Sequence, residues 1–171
     1  DAFAARSGTM RLELELPSPP LPTDERVEAF RANPDSEPLL PLLYFNYGRY
    51  LTVSSSSGEL PMNLQGKWNN ELRPPWDADY HMDINIQMCY WPTLTMGLFS
   101  QYETLTGFCA SFIPAAQDAA KKLYGCRGIY VPITTDAWGA MTPEANGWDV
   151  WIGAAPWLAQ HMYRAYQYTL D

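Results

Sequence analysis

Asp79-Tyr80-His81-Met82-Asp83-Ile84-Asn85-Ile86-Gln87-Met88 alternates polar and apolar residues without a break. An extended chain turns successive side chains to opposite sides. The pattern therefore predicts Asp79, His81, Asp83, Asn85 and Gln87 on one side, and Tyr80, Met82, Ile84, Ile86 and Met88 on the other. Two acids, an imidazole and two amides on one side of a short segment make a poor surface strand and a good site. Trp76 precedes the run and Tyr90-Trp91-Pro92 follows it, so aromatic faces frame the convergent polar groups, as a sugar-handling pocket requires.

Composition narrows the class of partner. The 171-residue chain is long enough for one domain with a real core, and 47% hydrophobic residues argue against global disorder. Seven Trp are too many to leave without use. A net charge of −8 argues against nucleic acid or an anionic membrane as the main partner. No apolar run reaches the roughly 18 residues a bilayer span needs. Cys89, Cys109 and Cys126 are an odd number without metal-ligand spacing, and buried free thiols are expected. The chain begins with Asp and shows no signal peptide, and no cofactor or metal cluster is expected.

Outward from the central run, helices dominate. Met10 to Leu16 alternates like a half-buried strand with Leu12, Leu14 and Leu16 on one face, and a Pro-rich stretch from Pro17 to Pro22 ends it as a stiff linker. A lone strand before a linker suggests the end of an upstream β domain. Thr23-Asp24-Glu25-Arg26 opens a short helix to about Arg31. A longer helix is predicted from Pro38 to Ser54, its apolar positions being Leu39, Leu42, Leu43, Tyr47, Tyr50 and Leu51. Residues 58–80 form an ordered loop rich in Pro, Asn and Trp. Helical spacing returns at Ile86–Tyr90, Leu98–Phe112 and Pro114–Tyr124, where Gly125 serves as a C-cap. After a loop or short strand over 126–150, a last helix runs from about Ala155 to Thr169. Helices joined by long aromatic loops suggest a toroid with its site at one end.

Each chemistry-bearing group has a plainer explanation beside the functional one. A glycosidase needs a proton donor at the leaving oxygen and a group that orients or deprotonates water. Asp83 has the charge of a base. Asn85 can position water through its carbonyl oxygen, although an amide is a feeble base unless a carboxylate polarises it. His81 suits a sugar hydroxyl. The alternative is a polar cluster capping the next helix, with Asp83 as N-cap. The amides of Leu60 to Asn70 either face a ligand or satisfy their own loop. Asp136 beside Trp138 is a second carboxylate–indole pair, for which an Asx-turn is the simpler account. Glu144 is expected to be solvated. Trp148, Trp151 and Trp157 are expected in the core, as is His161.

Three stretches together carry a resemblance. They are Tyr47-Gly48-Arg49-Tyr50-Leu51 with Ser54-Ser55-Ser56, Leu60-Pro61-Met62-Asn63-Leu64-Gln65-Gly66-Lys67-Trp68-Asn69, and the run from Pro74-Pro75-Trp76-Asp77-Ala78-Asp79-Tyr80-His81 to Tyr90-Trp91-Pro92. They resemble glycoside hydrolase family 95, and the likeness continues through Lys121–Gly128, Thr135–Gly139 and Trp157–His161. That family contains inverting α-L-fucosidases, with some members acting on α-L-galactosides. The resemblance implies an all-α fold, a partial (α/α)6 barrel with long aromatic-rich loops, preceded by a short β segment and Pro-rich linker. Residues 1–22 would be the end of an upstream β domain and the linker, and residues 23–171 the N-terminal part of the catalytic barrel.

The family's water-handling residues lie in a His-x-Asn-x-Asn pattern, here His81-Met82-Asp83-Ile84-Asn85. This implies catalytic roles for Asn85 and Asp83, and substrate binding by His81, Trp76, Asp136, Trp138 and Trp91. The substrate would be an oligosaccharide or glycan, and the compartment secreted or periplasmic. Asp83 replaces an amide with a carboxylate. Cys89, Val131–Thr134 and Arg164 also depart from the pattern, at positions expected around the pocket. The general acid and the polarising carboxylate would lie downstream of residue 171, and a chain ending there is expected to be inactive alone. An α-L-galactosidase, another exo-glycosidase, or a non-catalytic carbohydrate-binding relative on the same scaffold are the alternatives.

Overall fold

In the computed structural model, residues 5–8, 10–17, 20–56, 58–144 and 149–171 are described. Among them the chain is mostly helical. The helices are α1 (Thr23–Ala32), α2 (Leu40–Ser55), α3 (Asn85–Tyr90), α4 (Phe99–Ser111), α5 (Ile113–Tyr124) and α6 (Ala154–Thr169). Two short strands, β1 (Tyr80–His81) and β2 (Thr134–Thr135), pair antiparallel with Tyr80 opposite Thr135 and His81 opposite Thr134. Among the described residues no helix is long and apolar enough to cross a membrane.

The core forms where α3, α4, α5 and α6 meet. In α4, Tyr102, Leu105 and Phe108 fall on one face at helical spacing and are buried, and in α6 Ala154, Leu158 and His161 do the same. The buried face of α5 is small, made by Ala116, Ala119 and Ala120, which lets the following strand-like segment approach: the Tyr130 amide donates to the Ala116 carbonyl at 3.0 Å. Pro114 lies in the first turn of α5, where its missing N–H has no intrahelical partner to lose. Gly125 ends the helix at φ 64, in the left-handed region that costs a residue without a Cβ nothing. Tyr80, Phe108 and Phe112 continue the core toward β1 through ring contacts at 4.8 and 5.6 Å.

The N-terminal half departs from expectation. Residues 10–16 form no strand, and Leu12, Leu14 and Leu16 are exposed, because no partner strand among the described residues completes a ladder. The segment is pinned to the helices instead. The Arg49 guanidinium donates to the carbonyls of Met10 and Ser7, and the Gln101 amide to the carbonyl of Arg6 at 3.1 Å. Part of the Pro-rich linker, Ser18 and Pro19, lies outside the described residues, as does Trp148. The predicted apolar stripe of α2 is largely open: Leu43, Tyr47 and Tyr50 are exposed, and only Thr52, Val53 and Ser55 are buried. A buried ion pair between Arg26 and Glu37, 2.9 Å apart, joins α1 to the start of α2.

Candidate active site

The loop from Leu60 to Asn69 is held from below by two tyrosines. The Tyr90 hydroxyl accepts the Met62 amide at 3.0 Å and lies 2.6 Å from the Ser56 hydroxyl, while the Tyr80 hydroxyl donates to the Pro61 carbonyl at 3.3 Å. The Leu64 amide then donates to the Asp79 carbonyl at 2.9 Å, tying the loop to the start of β1. Within the loop Asn63 turns inward on the backbone, its side-chain oxygen accepting from Gln65 and Lys67. The amides therefore divide. Asn63 and Asn69 satisfy their own loop, and Gln65 faces a pocket.

That pocket, about 440 Å³ in volume, is lined by Leu64, Gln65, Trp76, His81, Asp83, Asn85 and Ile133. His81 comes from β1, Asp83 from the turn after it, and Asn85 from the first residue of α3. Pairing of β1 with β2 brings Ile133 from the other side, where its carbonyl accepts the Met82 amide. The helix-capping explanation for Asp83 fails: Ile84 occupies the N-cap position and no side chain caps α3. The fifth predicted member, Gln87, is not in the pocket. It is fully buried, and its side-chain amide donates to the Met82 carbonyl at 2.7 Å, bracing the turn that carries Asp83 from the core side.

The backbone around the pocket is strained. Trp76, Asp77 and Ala78 stand at φ 55, 56 and 50, and Ile84, between Asp83 and Asn85, at φ 154. A non-glycine residue in the left-handed region costs about 1–2 kcal/mol, and such strain collects at functional sites. Trp76 is thereby raised at the pocket rim with 76% of its surface exposed.

Electrostatics single out His81. Its Nε2 lies 2.7 Å from Asp79 Oδ1, with both side chains only 14% exposed. The Asp79 hydrogen bond holds the imidazole pKa above the ordinary histidine value against the opposing effect of burial, and the charges of Asp79 and Asp83 and the backbone of Trp76 add to it. Asp83 Oδ1 is buried and hydrogen-bonds no other protein atom. A water or sugar hydroxyl in the pocket would find there an acceptor without a competing donor. Glu144 is exposed, yet its carboxyl is raised above the usual range by burial first and then by the charges of Asp79, Asp149, Asp77 and Asp136.

The other predicted site residues lie elsewhere. Asp136 forms the Asx-turn, its Oδ1 accepting from the amides of Trp138 and Ala140 at 2.9 and 3.1 Å. Gly139 follows at φ 72, where a Cβ would stand 2.9 Å from that of Phe112. Trp138 points to solvent with 90% exposed. Trp91 lines a small cleft with Tyr102, His161 and Arg164, away from the pocket. His161 is a satisfied core residue: its Nδ1 is 3.1 Å from the Tyr102 hydroxyl, and burial pushes its pKa down to about 4. Of the positions departing from the family pattern, Asp83 and Ile133 line the pocket, whereas Cys89 packs on the core and Arg164 borders the Trp91 cleft. Cys109 also packs on the core, whereas Cys126 is exposed, contrary to the expectation of three buried thiols. Trp151 is partly buried against the core with Trp157 edge-on to it at 6.1 Å.

Ile133 reaches the pocket as expected of the Val131–Thr134 stretch, whereas sequence reasoning missed Leu64 and the buried Asp149. The Asp149 carboxylate accepts the Glu144 amide at 2.6 Å and stands 3.5 Å from the Thr134 hydroxyl, shaping the segment that carries β2. A buried Asp sits in this sequence as one acid among many, and no spacing marks it. A larger groove of about 580 Å³ between α1 and α2 is walled by Val27, Phe30, Leu43, Tyr44 and Tyr47 and contains no carboxylate or imidazole. It offers no acid–base chemistry. A second cleft of about 480 Å³ holds Glu59 and Glu103 but no imidazole, so the pocket that brings His81, Asp83 and Asn85 together is the candidate site.

Comparison with known proteins identifies the family. The family model described as Glycosyl hydrolase family 95 catalytic domain matches residues 1–171. Alpha-L-fucosidase 2 of Arabidopsis thaliana is 36% identical over 152 residues, covering 87% of this chain and 18% of that protein. Probable alpha-fucosidase A of Aspergillus niger is 33% identical over 170 residues, covering 94% of this chain and 21% of its own length. A protein of the same description from Aspergillus oryzae is 37% identical over 102 residues, which is 55% of this chain and 13% of that one. The chain thus spans about a fifth of the first two relatives. With a helical body and a polar pocket built on the run from His81 to Asn85, the chain belongs to the glycosyl hydrolase family 95 catalytic domain.

Proposed function

We propose that this chain supplies one wall of the sugar site in an inverting exo-α-L-fucosidase that removes terminal α-linked L-fucose from glycans. Asn85 and Asp83 place the attacking water, His81 contacts the sugar, and Trp76 offers its ring face at the rim. Trp91, Asp136 and Trp138 would serve the substrate only beyond the pocket seen here. Residues 23–171 form the first part of an (α/α)6 barrel and residues 1–22 the joint to an upstream β domain. The general acid comes from sequence beyond residue 171. The fucosidase names of the relatives support the choice of sugar.

One observation carries this reading: Trp76, His81, Asp83 and Asn85 line one pocket, and Asp83 Oδ1 within it lacks a protein donor. A carboxylate two residues before the water-positioning amide can accept the water's proton directly, which an amide in its place cannot do. The test is release of L-fucose from a fucosylated glycan by the full-length protein. Asn85→Ala and Asp83→Asn should each lower kcat by about 10²–10⁴-fold, the usual worth of a positioned general base. Wild-type rates in Asn85→Ala would remove the assignment. The Asp83 carboxylate also favours a second reading, a related sugar such as α-L-galactose, which a panel of aryl glycosides separates from the first.

A further inference from the structure

Building on the sugar-site reading, we propose that Asp79 is a positioning residue: its carboxylate fixes the His81 imidazole in the pocket wall. The Asp79 backbone is anchored independently of its side chain, because its carbonyl accepts the Leu64 amide at 2.9 Å. The side chain is thus free to serve His81, whose Nε2 it meets at 2.7 Å. Trp76, Asp77 and Ala78, which lead into Asp79, all stand at positive φ, and Trp76 is mostly exposed.

This arrangement also limits what His81 does for a substrate. Its Nε2 is engaged by Asp79 at 2.7 Å, so it meets a sugar as a ring held in one orientation rather than through a free Nε2 donor. The charged groups that act on it are Asp79 and Asp83, both on its own segment. Glu144 in turn feels the charges of Asp79, Asp149, Asp77 and Asp136. Gln65 and Ile133, which line the pocket from the other segments, carry no charge, and Asp79 is the ion-pair partner of the ring.

The experiment uses the full-length protein with Asp79→Asn and Asp79→Glu, read in two ways. Histidine-selective carbon labelling, with His81→Gln to assign the signal, follows the His81 titration. Its midpoint should fall by at least about one pH unit in the Asn variant, because burial then acts without the opposing carboxylate, and return in the Glu variant. Steady-state kinetics on an aryl α-L-fucoside at neutral pH should show KM raised by about tenfold in Asn with kcat within about threefold, again recovered in Glu. An unchanged His81 midpoint, or a loss confined to kcat, overturns the proposal. If the wild-type protein cleaves no fucoside, the sugar assignment fails. The titration midpoint and the binding of whichever glycoside a panel identifies then decide the role of Asp79 separately.

Discussion

Replacing Tyr90 by Phe removes a single oxygen and should open the loop that forms the pocket's near wall. The ring is fully buried and keeps its edge-on contact with Tyr102, 6.4 Å away, so packing is preserved. The hydroxyl is another matter: it receives the Met62 amide at 3.0 Å and lies 2.6 Å from the Ser56 hydroxyl. Stripping a buried N–H of its acceptor costs about 1–3 kcal/mol. Ser56 retains a longer contact with the Gln101 carbonyl at 3.5 Å, so its loss falls at the small end of that range. Together the two losses come to about 2–4 kcal/mol, which is roughly a 30- to 900-fold change in the equilibrium between closed and open loop. Hydrogen exchange of the full-length protein, read on the peptide covering residues 60–69, should speed up by that factor while α4 exchanges as before. Unchanged protection at Met62 would refute the claim that Tyr90 carries the loop. Faster exchange throughout the helices would show the loss to be global.

Two further outcomes follow from the core and the helix ends. Burial lowers the His161 pKa to about 4, so the unfolded chain binds this proton before the folded one does. The stability this group contributes is present above the unfolded histidine value and is lost as pH falls toward 4. The fall in melting temperature between neutral and mildly acidic pH should therefore be smaller in His161→Gln than in wild type. At Gly125, a Cβ would meet nothing within 4 Å, so Gly125→Ala isolates the cost of the left-handed backbone. Urea titration should show a loss of about 1 kcal/mol, with Asn at that position losing less.

The helical body was legible because its periodicities are long. α4, α5 and α6 begin and end within a residue or so of the predicted limits, fixed by a buried stripe in each and by Gly125. The site was legible as far as Asn85. An extended pattern puts His81 and Asp83 on one side; β1 ends at His81, the turn over 82–84 still delivers Asp83 to the pocket, and α3 starts at Asn85. From there each residue turns about 100° rather than 180°, so Gln87 two positions on swings to the core. Alternation alone cannot show where one period gives way to the other. Ile133 was placed near the pocket only by the family resemblance, not by any pattern in the residues around it. It enters the pocket through a two-residue ladder closed between distant segments, and strands that short leave almost no pattern. The Met10–Leu16 stretch shows the converse: clean alternation predicts a strand only where another edge exists to receive it.

The small β1–β2 ladder has a consequence for how the protein is made. It joins segments about fifty residues apart, a closure whose entropic cost is met only after the intervening α3, α4 and α5 have packed. As the polypeptide emerges from the ribosome, His81, Asp83 and Asn85 appear well before the segment that completes their wall. Helices must therefore condense first, and the cavity that binds the ligand is among the last features of this region to take shape.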